Sequence, residues 1–258
     1  MNSENQENFE EMSQSVDLNN KAVGANKSTA RRFAPPGESP GRHFVPPGER
    51  RASQNSIIAD LRKEQILDAA ILTLNDVGYL SASLAKIAKQ ADISAALISY
   101  YFPTKNELIE KLLRVLLQKQ EDYVHEKVAK AQTPLEMLYI YIRAYLTYSE
   151  EFKRENDAMM EIIYNGRDEN KIPYYKTFGT DETDLLERII EAVQRKGGFP
   201  ETNPAFLAIM INGAVRGYTM NPNADEKQDY ETYCDELIET ISKLSGFSKK
   251  YTYEPMIQ

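Results

Sequence analysis

Residues Ser81 to Leu108 read SASLAKIAKQADISAALISYYFPTKNEL. Two short helical stretches flank a tight turn at Ala91-Asp92-Ile93, and a longer helix starts directly behind them. Ile87, Ala88, Ala91, Ile93, Ile98 and Tyr101 are spaced to bury the inside corner of a helix-turn-helix. Such a corner aims the N-terminal half of its second helix outward, at the width of a DNA major groove. An ordinary helical corner in a bundle is the rival reading. It does not account for the small and polar side chains on the outward half of the second helix.

The boundaries of this unit are written in capping residues. Ser81 or Ser83 caps the first short helix, which runs to Gln90, and Ser94 caps the second, which runs to Tyr101. Pro103 ends that helix, and Thr104-Lys105-Asn106-Glu107 reads as a capping box for the next. Upstream, from Ile57, the residues Ile58, Leu61, Ile66, Leu67, Ala70, Leu74 and Val77 recur at helical steps on one face. Gly78 is the natural stop.

Downstream, the capped helix continues to about Ala131, with Leu108, Leu112, Val115, Leu116 and Tyr123 on one side. That is roughly 40 Å at helical rise, enough to join a head to a second domain. Thr133-Pro134-Leu135-Glu136 is a second capping box, opening a helix to about Ser149. Further helices are expected at Phe152 to Tyr164, Asp181 to Lys196, Asn203 to Met220 and Glu226 to Leu244. Asn165-Gly166-Arg167-Asp168, Gly197-Gly198, Asn221-Pro222 and Gly246 punctuate them. No strand is legible, so the expected fold is all-α. A three-helix DNA-binding head at 56–105 would be joined by a long helix to a helical domain at 106–246, with a tail at 247–258.

Residues 1–55 are rich in Asn, Glu, Ser, Gln, Pro and Gly, and are expected to be a disordered extension. They carry a repeat offset by 11 residues, RRFAPPGE at Arg31–Glu38 and RHFVPPGE at Arg42–Glu49. The FxPPGE pattern fits a spacer, a short motif for a protein partner, or a basic arm along DNA.

Net charge is −8, which argues against bulk coating of nucleic acid. The local balance differs: Arg31, Arg32, Arg42, Arg50, Arg51, Arg62 and Lys63 outnumber Glu38, Glu49 and Asp60 just before the helix-turn-helix. No apolar run is long enough for a membrane span, and the first residues lack the pattern of a secretory signal. With the single cysteine, Cys234, this leads to an expected cytoplasmic location and no membrane partner. His43, His125 and Cys234 make no metal cluster. No nucleophile with a base, and no phosphate-cradling glycine loop, can be assembled. An enzyme is not expected, nor a cofactor or a metal.

Residues Arg62 to Leu113 resemble the DNA-binding domain of the TetR family of bacterial one-component transcriptional regulators. The matching pieces are Ile66-Leu67-x-Ala69-Ala70, Gly78-Tyr79, Ile87-Ala88, Ile93-Ser94, Tyr101-Phe102 and Lys105-x-Glu107-Leu108, in order and at the right spacing. The resemblance implies a DNA-facing set of Ser94, Ala95, Ala96, Leu97, Ser99 and Tyr100. It implies phosphate contacts from Ser83 and Lys105. Two positions depart from the family. Asp92 stands at a glycine site in the turn, and Ser99 stands where a tyrosine is frequent, with Tyr100 adjacent. The resemblance also implies a C-terminal domain that binds a small-molecule effector and forms a homodimer on a palindromic DNA operator.

Two features of the C-terminal half fit that implication. Tyr141, Tyr145 and Tyr148 share a helix face, and Met159, Met160 and Tyr164 lie on the following helix. Together they can line a ligand pocket or simply form core. Glu161 is a possible counter-charge for a cationic ligand. The helices near 204–220 and 226–244 are the expected dimer seam. Gly213-x-x-x-Gly217 on the first of them admits close approach of another helix or packing within the chain.

Overall fold

The structure is a computed structural model that describes the backbone of residues 47–177, 181–200, 202–220 and 228–246. Side chains are described for these residues except 47–56 and 181–184. The repeat residues before Pro47, the breaker Asn221-Pro222 and the tail at 247–258 lie outside them. Nine α-helices appear among the described residues, with one isolated antiparallel bridge, Arg167 to Pro173, and no strand. The chain divides into two compact units, one ending at Leu112 and the other beginning at Leu113.

In the first unit, helix α1 spans Pro47–Ser81. It starts ten residues before the expected Ile57, so residues 47–55 are helical rather than part of a disordered extension. Proline suits a first helical turn, because the amide it lacks would have no partner there. The helix breaks at Gly78 (φ 73°, ψ 165°), a backbone conformation that favours glycine. Ile66, Leu67, Ala69, Ala70 and Leu74 are buried. Ile58, Leu61 and Val77, read from periodicity as core, are exposed, and Ile57 with them. Periodicity reports a face, and this face runs past the neighbours that would cover it.

Helix α2 spans Leu84–Gln90, α3 Ala95–Tyr101 and α4 Lys105–Val128. Helix α4 ends short of Ala131, in a turn whose amides bond back to His125, Lys127 and Val128. Its buried side chains include Leu108, Ile109, Leu112, Leu113 and Leu116. Of the expected stripe, Leu108, Leu112 and Leu116 are buried, while Val115 is exposed and Tyr123 half-buried.

In the second unit, α5 (Pro134–Glu151) is the central element. Met137 through Ile142, Ala144, Leu146 and Tyr148 are buried, leaving no wide solvent face. Helices α6 (Lys153–Asn165), α7 (Asp181–Arg195), α8 (Pro204–Thr219) and α9 (Tyr230–Ser245) all pack on it. Only Phe152 separates α5 from α6, at φ −116° and ψ 44°. Helix α9 starts at Tyr230, capped by Asp229, rather than at Glu226, which lies outside the described residues. Gly166 allows Tyr174 to seat against α6: a Cβ there would fall 2.4 Å from the Ile162 carbonyl and 2.7 Å from the Tyr174 ring.

Candidate nucleic-acid interface and ligand cleft

The helix-turn-helix is built from its inner corner. Ile87 and Ile98 are fully buried, and Ala88 and Ala91 nearly so. Burying each isoleucine is worth about 2 kcal/mol. Ile93 and Tyr101 are half-buried. The turn closes through the Ile93 amide, which donates to the Ala88 carbonyl at 3.0 Å, and through Asp92 at φ 53°. Aspartate is among the few side chains that tolerate this left-handed conformation. A long-range bond secures the turn. Gln65 Nε2 on α1 donates to the Ala91 carbonyl at 2.7 Å, and Arg62 holds the other end of the same carboxamide at 2.6 Å. Nothing in the sequence pattern singled out Gln65, whose partner lies 26 residues away.

Ser83, not Ser81, caps α2: its hydroxyl accepts from the Lys86 amide at 3.3 Å. Ser94 caps α3, accepting from the Leu97 amide at 3.1 Å. Thr104 accepts from the Glu107 amide, but Glu107 returns to the Thr104 hydroxyl rather than to its amide. In the second box Glu136 reaches one residue further back, to the Gln132 amide.

This scaffold leaves one outward tip. Ser94, Ala95, Ala96, Ser99 and Tyr100 are exposed, Tyr100 by 78%. Leu97 and Ser83 are half-buried at its margin. The Tyr100 ring stands edge-on to Tyr101 at 5.0 Å. Lys105 is not a loose surface lysine: its Nζ donates to the Tyr79 carbonyl at 2.5 Å and sits 4.2 Å from the centre of the Tyr79 ring. Burial lowers its pKa. Lys86 Nζ likewise donates to the Ser81 carbonyl at 2.9 Å. Two ammonium groups thus brace the α1–α2 connection, at Tyr79 and Ser81, an arrangement no spacing rule predicted.

In the second unit a cleft with about 600 Å³ of empty space, open solvent included, lies among α4, α6, the Tyr174–Lys176 turn and α8. Of the tyrosine and methionine set, Tyr145, Met160 and Tyr164 line it. Tyr141 and Tyr148 do not. Tyr148 is packed with Tyr123 and Phe152, and burial raises its pKa. The Tyr141 ring lies tilted against that of Tyr145, 4.7 Å between centres, and its hydroxyl donates to Asn212 Oδ1 at 3.3 Å. Both are core because α5 is covered nearly all round. Met159 is core as well. Glu161 accepts from Asn165 at 2.7 Å and is not among the lining residues. The lining that sequence reasoning missed includes Gln120, Asn156 and Arg216. Among the described residues no cluster of His, Cys, Asp or Glu is fit to hold a metal.

A capped, outward-facing second helix over a buried corner defines a helix-turn-helix DNA-binding head, here attached to an all-α body. Residues 66–112 match the family model described as bacterial regulatory proteins, tetR family. The match lies on the helix-turn-helix head, so it is this part of the chain that is similar to the tetR family. A curated relative, the HTH-type transcriptional regulator BetI of Cronobacter sakazakii, is 39% identical over 83 residues, 31% of this chain and 41% of that protein. The chain thus spans less than half the length of the curated relatives it matches first.

Solved structures extend the likeness of fold to both units. The fatty acid degradation regulator FadR of Bacillus halodurans matches 70% of this chain and 94% of its own, at a TM-score of 0.59 and 19% identity. AibR, solved in complex with isovaleryl coenzyme A and operator DNA, matches 69% of this chain and 97% of its own, at 0.60 and 18%.

Proposed function

We propose that the chain is a ligand-responsive transcriptional regulator that represses from a palindromic operator as a homodimer. The observation that carries this reading is the tip of α3, exposed at Ala95, Ala96, Ser99 and Tyr100 over a corner whose inner side chains are buried. Ala95, Ala96 and Leu97 pack against thymine methyl groups, while Ser99 and Tyr100 hydrogen-bond bases or backbone. Ser83, Ser94 and Lys105 meet phosphates and set the register. Two heads then sit about 34–36 Å apart on successive major grooves.

The dimer forms through α8 and α9. Phe206, Ile209 and Met220 on α8 and Leu244 on α9 are exposed. A Cβ at Gly213 or Gly217 would meet nothing within 4 Å, which favours an approaching second helix over packing within the chain. The effector enters the cleft and prefers the arrangement that does not bind DNA, which shifts the population away from the operator. Such a regulator works in the cytoplasm; no helix among the described residues is long and apolar enough to cross a membrane. The relative named as a transcriptional regulator and the neighbour solved with operator DNA support the reading.

Selection of bound sequences from a random duplex pool tests it. A two-fold symmetric site, bound in a salt-sensitive way, is the expected result; no symmetric preference from a folded dimer would sink the proposal.

A second reading is a DNA-binding architectural or adaptor factor that recruits a protein. Ile57, Ile58 and Leu61 favour it, lying exposed on α1 just beyond the proline-glycine repeat. Deleting residues 1–46 separates the two. A ligand-responsive repressor keeps both operator binding and repression, whereas an adaptor working through that arm keeps the first and loses the second.

A further inference from the structure

We propose that Arg62 on α1 is a phosphate-binding residue of the DNA interface, held in place by a relay through Gln65 to the turn of the helix-turn-helix. This inference rests on the DNA-binding reading of the head. It brings α1 into an interface otherwise made by α2, α3 and the start of α4.

The relay is short. Arg62 Nη1 donates to Gln65 Oε1 at 2.6 Å, and Gln65 Nε2 donates to the Ala91 carbonyl at 2.7 Å. A carboxamide spans about 2.3 Å from oxygen to nitrogen, so the guanidinium lies within about 8 Å of that carbonyl. Ala91 opens the turn that leads to Ser94, the cap of α3. The charge is therefore tethered beside the end of α3 that faces outward.

Within the chain this charge has no counterpart. Holding the Gln65 oxygen takes one N–H, and a guanidinium carries five. That bond is the one the Arg62 side chain makes among the described residues, and no carboxylate there pairs with it. Asp60, two residues upstream, lies 3.6 Å from Lys63 instead. A neutral donor would hold Gln65 as well. A half-buried cation with no counter-charge is poorly solvated until an anion reaches it.

The anion that the fold brings there is a DNA phosphate. A major groove is about 12 Å wide, so a helix seated in it has backbone phosphates at both margins. An arginine tethered beside α3 meets one of them, and its fork matches two phosphate oxygens at once. Such a contact positions the head and carries no sequence information. Arg62 should thus matter equally on any duplex, unlike the tip of α3.

Salt dependence reads this directly. Affinity of the full chain for the selected site, and for a random duplex of equal length, is measured from about 50 to about 200 mM salt. Arg62→Gln is expected to lower the slope of log affinity against log salt by about one unit per bound head on both duplexes. At about 0.15 M salt that is about fivefold in affinity per head. Arg62→Lys keeps the charge and should keep the slope. Gln65→Leu unties the arginine and should give part of the same loss, adding nothing to Arg62→Gln when the two are combined. Thermal melts check that each variant folds. Should Gln65→Leu not fold, Gln65→Asn, too short to span both partners, gives the same readout.

The inference is overturned by an Arg62→Gln variant with unchanged slope, by a loss confined to the selected site, or by losses at Arg62 and Gln65 that simply add. Its failure is distinguishable from that of the reading beneath it. A parent chain that binds no duplex removes both. A parent whose salt-dependent binding survives Arg62→Gln unaltered removes this contact alone.

Discussion

Asp92 holds the turn of the head at φ 53° with a side chain where glycine would be free of strain. Asp92→Gly should therefore leave the fold intact and change stability little, while Asp92→Val should cost about 1–2 kcal/mol, read from urea denaturation. A valine variant as stable as the parent would remove strain from this account. Lys105 makes a second test at this scale. Lys105→Gln should reduce the slope of log affinity against log salt for operator binding by about one unit. An unchanged slope would leave Lys105 as a brace for Tyr79 alone. The two residues differ in how far the sequence revealed them. The left-handed demand on Asp92 was legible through the resemblance, which puts a glycine at that turn position. The Tyr79 carbonyl and ring under Lys105, like the Ala91 carbonyl under Gln65, are partners 26 residues distant that no local pattern encodes.

At the scale of elements, legibility tracks local chemistry. Helix starts at Ser83, Ser94, Thr133 and Asn203 were readable because a cap is a contact between neighbours in sequence. Faces were less readable, because burial depends on what packs opposite. Ile58 and Leu61 share the period of Leu67 and Leu74 yet outrun the core. Tyr148 shares the stripe of Tyr145 yet lies under a covering helix. The lining of the cleft could not be assembled from the sequence, since Gln120, Asn156 and Arg216 sit on three different helices.

Helix α4 also carries a titrating group. Burial depresses the pKa of His125, with Asp122 opposing and Arg188 assisting. Below about pH 6.5 the unfolded chain takes up a proton that the folded chain resists, so stability falls as pH drops through that window. His125→Gln should flatten the loss of melting temperature between about pH 6.5 and 5, above the range where ordinary carboxylates dominate. An equally steep loss in the variant would assign the pH dependence elsewhere.

For the whole molecule, the proposed dimer seam is open to direct test. Gly213 and Gly217 have room for a side chain within the protomer. Gly213→Leu with Gly217→Leu should not destabilise the isolated chain, and removing two helical glycines gains up to about 1 kcal/mol each. The same pair should drive sedimentation from dimer toward monomer and abolish binding to a two-fold site. A variant that stays dimeric would place the seam on another surface.

Helix α8 presents Val215, Arg216 and Thr219 to the cleft and Phe206, Ile209 and Gly213 outward. On the proposed assignments one rod is wall of the effector cleft and face of the dimer seam, and reciprocity would then bind the two equilibria together. Effector affinity would become a function of how much protein is in the tube. Titrations at nanomolar and micromolar chain should return different apparent constants, and the direction of the difference tells whether the occupied cleft tightens or loosens the pair.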